Sequence, residues 1–325
     1  MQVFIDTNIL LNFYQFTKED IEALYNVFAS HEYGAAEVHL TQQVSDEFFR
    51  NRENKIKDAL KKFKDVKFAA QLPVFMKKYE EYEQIMQKST ELQELAKAIL
   101  KKVDKDVVEG SLLADVLIND IFAKSSLIKT TQELFAKAQM RVALGNPPGK
   151  NESLGDSVNW IALLEAVNDG EDIHVISEDG DYYSTLDENR PHPYLKSEWN
   201  KKKNAQIFVY RSLTKFLKAN FDGVAFSYDK KKDALIETLA DSGSFSVTHN
   251  LIMKLEQFSY FSLKEVQRIL AAAVSNNQFG WISTDDDVFA FLKRVAVPRI
   301  GLLTDNEQVD LLLKMLDAKA TNENA

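Results

Sequence analysis

Cysteine is absent from the 325 residues, which excludes disulfides, thiolate zinc sites and cysteine nucleophiles. No apolar run approaches the roughly 20 residues that a membrane-spanning helix needs. The start of the chain lacks a basic segment followed by an apolar one, so no signal peptide is expected. Together these absences fit a cytoplasmic protein. The five histidines, His31, His39, His174, His192 and His249, show no metal-ligand spacing. No fixed-period repeat is present. Positive charge is also in short supply. The formal net charge is −9, against the basic balance expected of a nucleic-acid-binding chain.

Charge is unevenly placed, however. From Arg50 to Lys67 there are eight basic residues (Arg50, Arg52, Lys55, Lys57, Lys61, Lys62, Lys64, Lys67) against three acids. Lys201 to Lys203 and Lys230 to Lys232 are two further basic triplets. Apolar content of 45% is enough for a sizeable core.

The pattern alternates between short apolar runs and helical spacing. Residues 2–6 read as a strand, followed by a helix from about Thr17 to Ser30, a short strand near Val38-His39-Leu40, and a helix capped by Thr41. From Asn51 to about Leu144 the pattern is helical without a convincing strand, with Pro73 starting a new helix. Gly145-Asn146-Pro147-Pro148-Gly149 is a strong break. Ser153 then caps a helix to about Val167, Asp172 to Ser177 is a strand, and Gln206 to Tyr210 is another, with a helix beginning at Ser212. Strand and helix in alternation argue for a mostly parallel sheet covered by helices. After about Asp222 the character is helical. The expected architecture is therefore an α/β domain over 1–222 with a helical insertion at about 51–144, then an all-α domain over 223–325. The tail from Ala318 onward is expected to fray.

Four acids share a context. Asp6 ends the first strand. Glu47 lies about two turns into a helix. Asp156 sits in the first turn of a helix, and Asp179 follows a strand. Strand ends and the starts of following helices lie on one edge of a parallel sheet, where such folds place their chemistry. Carboxylates gathered there repel unless protonated or neutralised by a cation. Hard oxygen donors favour Mg²⁺ or Mn²⁺ over zinc. Such ions activate water and stabilise charge at a phosphodiester.

The Phe4-Ile5-Asp6-Thr7-Asn8 start, the acid on a following helix, the Gly155-Asp156 helix start and the Ser177-x-Asp179-x-Asp181-Tyr182 segment closely resemble the PIN-domain nucleases. Pro147-Pro148-Gly149 and Leu195-Lys196-Ser197-Glu198-Trp199 extend the resemblance toward a bacterial PIN-like group, over roughly residues 1–220. The resemblance implies Asp6, Glu47, Asp156 and Asp179 as catalytic metal ligands, with Asp181 assisting or replacing Asp179. It implies Thr7, Asn8 and Ser177 as groups that orient them. Asn159, near the Asp156 face of its helix, is expected to hold a metal-bound water. The implied activity is metal-dependent phosphodiester hydrolysis, with RNA preferred to DNA and unpaired substrate suited to a cleft that reads the backbone.

Arg50, Arg52, Lys55 and Lys150 are the expected nucleic-acid contacts, with Arg141 as a further phosphate ligand. Trp199 and Tyr182-Tyr183 are candidates for stacking on unpaired bases, with at least one of them expected in the core instead. Asp285-Asp286-Asp287 lacks the remaining ligands of a calcium loop and is read as a helix start. Two rivals stand beside the nuclease reading: a non-catalytic nucleic-acid-binding scaffold, and an effector activated by a regulatory partner or self-association through the helical C-terminal domain. An aspartyl-nucleophile phosphatase would have a second Asp two residues after the first, where this chain has Asn8.

Overall fold

The computed structural model describes residues 1–29, 36–66, 68–149, 153–221, 228–258 and 261–323. Ser30, His31, Lys67, Lys150 and the residues at the expected domain boundary lie outside that set. Inter-residue contacts divide the chain into two compact units, Met1–Phe221 and Asp222–Ala325.

The first unit is built on five parallel strands in the order β3-β2-β1-β4-β5. In chain order it runs β1 (Gln2–Ile5), α1 (Thr7–Leu11), α2 (Lys18–Phe28), β2 (Glu37–Thr41), α3 (Gln42–Lys64), α4 (Glu81–Glu109) and α5 (Leu113–Lys124). There follow β3 (Ser126–Ile128), α6 (Gln132–Ala143), α7 (Leu154–Ala166), β4 (Ile173–Ile176), α8 (Pro193–Lys203), β5 (Ile207–Tyr210) and α9 (Leu213–Asn220). β1 is central, with Val3, Phe4 and Ile5 fully or almost fully buried. A strand buried on both sides has no polar alternation, which is why Val3 to Ile5 is continuous. Removing a side chain such as Phe4 from water contributes about 2–3 kcal/mol.

Local signals set the helix starts. Thr17 and Asp20 form a capping box at α2, Thr41 Oγ1 accepts from Val44 N at α3 (3.1 Å), and Ser212 does the same for α9. Each such cap stabilises by about 1 kcal/mol. Ser153 stands at the cap position of α7 but makes no cap bond; its hydroxyl goes elsewhere, as described below.

Three departures from the expected elements occur here. β3 lies inside the region read as wholly helical; it is a three-residue edge strand, largely exposed, pairing with β2. The segment after Pro73 is a 3₁₀ turn, Val74–Lys78, rather than a helix. Lys201 to Lys203 end α8 instead of forming a loop, and Lys203 is buried against Asp169 (3.2 Å).

The second unit contains α10 (Tyr228–Ala240), α11 (Phe245–Leu255), α12 (Leu263–Ser275), α13 (Asn277–Trp281), α14 (Asp286–Ala296) and α15 (Asn306–Glu323). Leu251, Ile252, Leu255, Phe258, Phe261, Ile269, Leu270, Phe291 and Leu292 form its core. α15 continues well past Ala318, where fraying was expected, because Leu312 and Met315 pack into that core. The Asp285–Asp287 run pairs internally: His249 meets Asp285 (3.3 Å) and Asp287 (2.8 Å), and Lys319 meets Asp286 (2.6 Å). Lys232 pairs with Glu265 (2.9 Å).

Candidate active site

The carboxyl edge of the sheet opens into a cleft of about 450 Å³. Asp6, Glu47, Asp156 and Asp179 all line it, together with Asn8, Gln43, Arg50, Asn51, Ser153 and Gly155. Four chain segments thus deliver four carboxylates to one place.

Asp6 is the deepest, at 5% exposed. Its Oδ1 accepts from Thr7 N (2.7 Å), and its Oδ2 accepts from Asn8 Nδ2 (2.9 Å) and Ser177 Oγ (2.5 Å). Burial pushes its carboxyl up to about 7, and the nearby charges of Asp156 and Glu47 push the same way against the bonds from Ser177 and Thr7. Ser177 Oγ also accepts from Asp179 N (3.0 Å), so one buried hydroxyl joins the two strand-end acids. Asp179 caps a 3₁₀ turn, accepting from Asp181 N (2.7 Å).

Asp156 is half-buried on the first turn of α7, and Ser153 Oγ donates to its Oδ2. Burial, followed by the charges of Asp179, Glu47 and Asp181, raises it to about 6 against that bond. Glu47 reaches the cleft from α3, one turn after Gln43, whose Nε2 donates to Glu47 Oε2 (3.2 Å). A Cβ at Gly155 would lie 2.7 Å from Gln43 Nε2. A side chain there would displace the Gln43 amide that donates to Glu47.

Asp181 is placed differently. It is buried, does not line the cleft, and its Oδ2 accepts from Gly149 N (2.9 Å). Asn159 is also withdrawn. It is 1% exposed, and its Oδ1 accepts from Thr41 Oγ1 (2.5 Å), locking α7 to the start of α3. The expected water-holding role has no room there.

Of the expected nucleic-acid contacts, Arg50 lines the cleft and Lys150 lies outside the described residues. Arg52 is spent internally: Nε and Nη2 donate to Asp115 (2.7 and 2.5 Å), and Nη2 also donates to Val107 O. Lys55 Nζ donates to Asn12 Oδ1 (3.0 Å). Arg141 is buried rather than poised for phosphate. It holds both oxygens of Glu198 (3.0 and 2.7 Å) and the carbonyl of Pro147, while Trp160 Nε1 donates to Glu198 Oε2 (2.7 Å). Ser157 Oγ donates to Pro148 O (2.6 Å). The Pro-Pro-Gly loop is therefore held by Arg141 of α6, which Glu198 of α8 fixes in turn, by Ser157 of α7 and by Asp181. Trp160, Tyr182, Tyr183 and Trp199 are core residues, at most 2% exposed, so none offers a ring to a base. His39 and His174 pack within the sheet, His39 against Gln2 and His174 stacked on Phe208 and Tyr210. Gln43 and Asn51 were missed; their spacing of four on either side of Glu47 was the available signal.

The donor set suits a hard divalent cation. All four acids are oxygen donors, and two of them are pushed toward protonation by one another and by burial. Thr7 Oγ1 and the Tyr182 hydroxyl are buried with no hydrogen-bond partner among the described residues. Tyr182 is raised far above its usual range by burial first, then by the charges of Asp6, Asp156, Asp179 and Asp181. A divalent cation would offset the excess negative charge that the four acids bring to the cleft. The set is open, however: among the described residues no three His, Asp or Glu side chains form a ready cage.

Comparison with known families gives one result, a match of residues 3–182, more than half of the chain, to the family described as PIN domain. Neither curated proteins nor solved structures give a match.

Proposed function

The chain belongs to the PIN-domain family, and from that premise we propose that it is a metal-dependent nuclease that hydrolyses phosphodiester bonds, with RNA as the preferred substrate. The observation that supports this reading most is the convergence of Asp6, Glu47, Asp156 and Asp179 on one cleft at the carboxyl edge of the sheet. Those four residues would hold Mg²⁺ or Mn²⁺. When bound, the ion supplies positive charge at the phosphodiester and acidifies water for attack. Asn8, Thr7 and Ser177 fix the direction of Asp6, and Ser153 fixes Asp156. Arg50 stands at the rim, where its guanidinium can take a phosphate oxygen. Among the described residues that line the cleft, Ser153 is bonded to Asp156 and carboxylates predominate, which suits chemistry carried by acids and an ion.

Labelled RNA incubated with Mn²⁺ or Mg²⁺ tests this directly, with Asp6→Asn and Asp156→Asn beside the wild type. Cleavage that requires the ion and falls by a hundredfold or more in both variants supports the reading. Cleavage that survives chelation, or full activity in both variants, refutes it. The open ligand set favours a second reading, a nucleic-acid-binding PIN scaffold that is silent alone or until a partner engages it. It predicts binding without turnover, insensitive to both substitutions.

A further inference from the structure

α3 carries the cleft outward. Gln43, Glu47 and Arg50 line the cleft, and the same helical face continues through Asn54, Lys57, Lys61 and Lys64. The spacings of four, three, four, three, four and three residues keep all seven on one side. Arg50, Lys57, Lys61 and Lys64 are exposed. Among the described residues none of the four forms an ion pair. The other cations of the same stretch behave oppositely, Arg52 being tied to Asp115 and Lys55 to Asn12.

The result is a row of four cations without ion pairs, against two exposed acids on the same side, Asp58 and Asp65, so the row keeps an excess of positive charge as it leaves the cleft acids in one direction. At 1.5 Å per residue it runs about 21 Å from Arg50 to Lys64. Phosphates of a stacked strand advance about 3.4 Å each, so at most about six consecutive phosphates span the row. Its far end meets a groove of about 240 Å³ formed by Phe63, Phe68, Lys64 and Lys97 among others. An aromatic groove beside lysines suits an unstacked base, which a duplex cannot present.

We propose that this face of α3 is a docking track for single-stranded RNA, holding the strand on one side of the bond presented to the cleft. The proposal rests on the nuclease reading for the position of that bond, but the track itself is a binding surface. The charge is complementary to a phosphate backbone, and the track is continuous with the cleft.

The test is anisotropy of labelled 4-, 8- and 12-residue oligouridylates in chelator across a salt series. The wild type is compared with Lys57→Gln/Lys61→Gln/Lys64→Gln and with Lys196→Gln/Lys201→Gln/Lys218→Gln as an exposed control. Affinity is expected to rise with length. Each phosphate contact contributes about 0.7 to the slope of log K against log salt for single strands, so the track variant's slope should be shallower by about 2. The control should match the wild type. An unchanged slope and affinity in the track variant overturns the proposal, as does tighter binding of duplex RNA or of the matching DNA strand. Cleavage with Mn²⁺ separates the two readings. Wild-type cleavage with an unaltered track variant sinks the track alone. Slope loss in the track variant without any wild-type cleavage sinks the nuclease reading and leaves the track standing.

Discussion

Raising the pH in the presence of chelator should weaken the first unit through Asp6, and Asp6→Asn should remove that dependence. The folded carboxyl titrates at about 7 against an ordinary 3.8, chiefly because it is buried. The folded state therefore keeps its proton over a range in which the unfolded chain has lost it. Stability from this group is full below about pH 4 and drains as pH rises through about 7. The gap between 3.8 and about 7, at about 1.4 kcal/mol per pH unit, comes to about 4 kcal/mol in all. About 2–3 kcal/mol of it falls between pH 5 and pH 8. For a unit of this size each kcal/mol moves the Tm by about 2–4 °C, so the effect is about 5–10 °C. Asn in place of Asp6 carries no charge but turns an amide donor toward Ser177 and Asn8, a loss of about 1–2 kcal/mol at any pH. The variant should therefore melt below the wild type at pH 5, and close or reverse the gap by pH 8. Groups away from the cleft are common to both proteins and cancel in the difference between the two melting curves, which reports Asp6 together with the acids coupled to it, Asp156 and Glu47. A difference that stays flat from pH 5 to pH 8 would refute the buried-acid reasoning.

Mn²⁺ at a hundredfold over its Kd should stabilise the wild type by about 2.7 kcal/mol and leave Asp6→Asn unmoved, read by the same thermal scan; equal shifts in both proteins would place the ion elsewhere. Arg52→Met should cost about 2–4 kcal/mol in urea unfolding, because it takes the only ion-pair partner that the buried carboxylate of Asp115 has among the described residues and leaves it the Tyr14 hydroxyl, while the salt slope for RNA stays as in the wild type. Gly149→Ala should cost about 2 kcal/mol or more. Its backbone lies at φ +130° and a Cβ there would stand 2.5 Å from Ser157 Oγ, so a neutral substitution would contradict the tightness of the Pro-Pro-Gly loop.

The parallel sheet and the cleft acids are legible in the sequence because each rests on a local signal. An apolar run ending in an acid marks Asp6, and a helix start after a glycine marks Asp156. β3 escaped because three residues at a sheet edge carry neither alternation nor a long apolar run. α8 escaped because its polar turn of Lys201 to Lys203 hides a helix whose buried side is Leu195 and Trp199. The larger misreading concerns partners. Arg52, Arg141 and Asn159 look available in a linear string, yet Asp115, Glu198 and Thr41 claim them across 63, 57 and 118 residues. Nothing local announces such a contact, since a side chain's neighbour across the core is decided by how whole elements pack. The Arg141–Glu198 pair does explain why a Leu-Lys-x-Glu-Trp segment far from the acids accompanies them: it holds the loop that feeds the Asp156 helix.

The net charge of −9 argues against a polyanionic partner only if charge is treated as a total. Along α3 it is sorted by angle. Residues turned inward bind protein: Arg52 finds Asp115 and Lys55 finds Asn12. Residues turned outward change in balance along the axis, from Glu47 in the cleft to Lys57, Lys61 and Lys64 beyond it, which outnumber the exposed Asp58 and Asp65 beside them. A carboxylate cluster alone would repel a phosphate backbone, and a lysine row alone would hold it without acting on it. Joined on one helix, the proposed track would hold a strand beside acids that would take the cation, and Lys57, Lys61 and Lys64, about 15 Å or more along the axis from Glu47, lie beyond the roughly 10 Å screening length at 0.1 M salt. A one-residue shift of register along α3 would turn every side chain by about 100°, taking Arg52 and Lys55 away from Asp115 and Asn12 and the lysine row away from the cleft line, and so would undo both the anchoring of the helix and the track it carries.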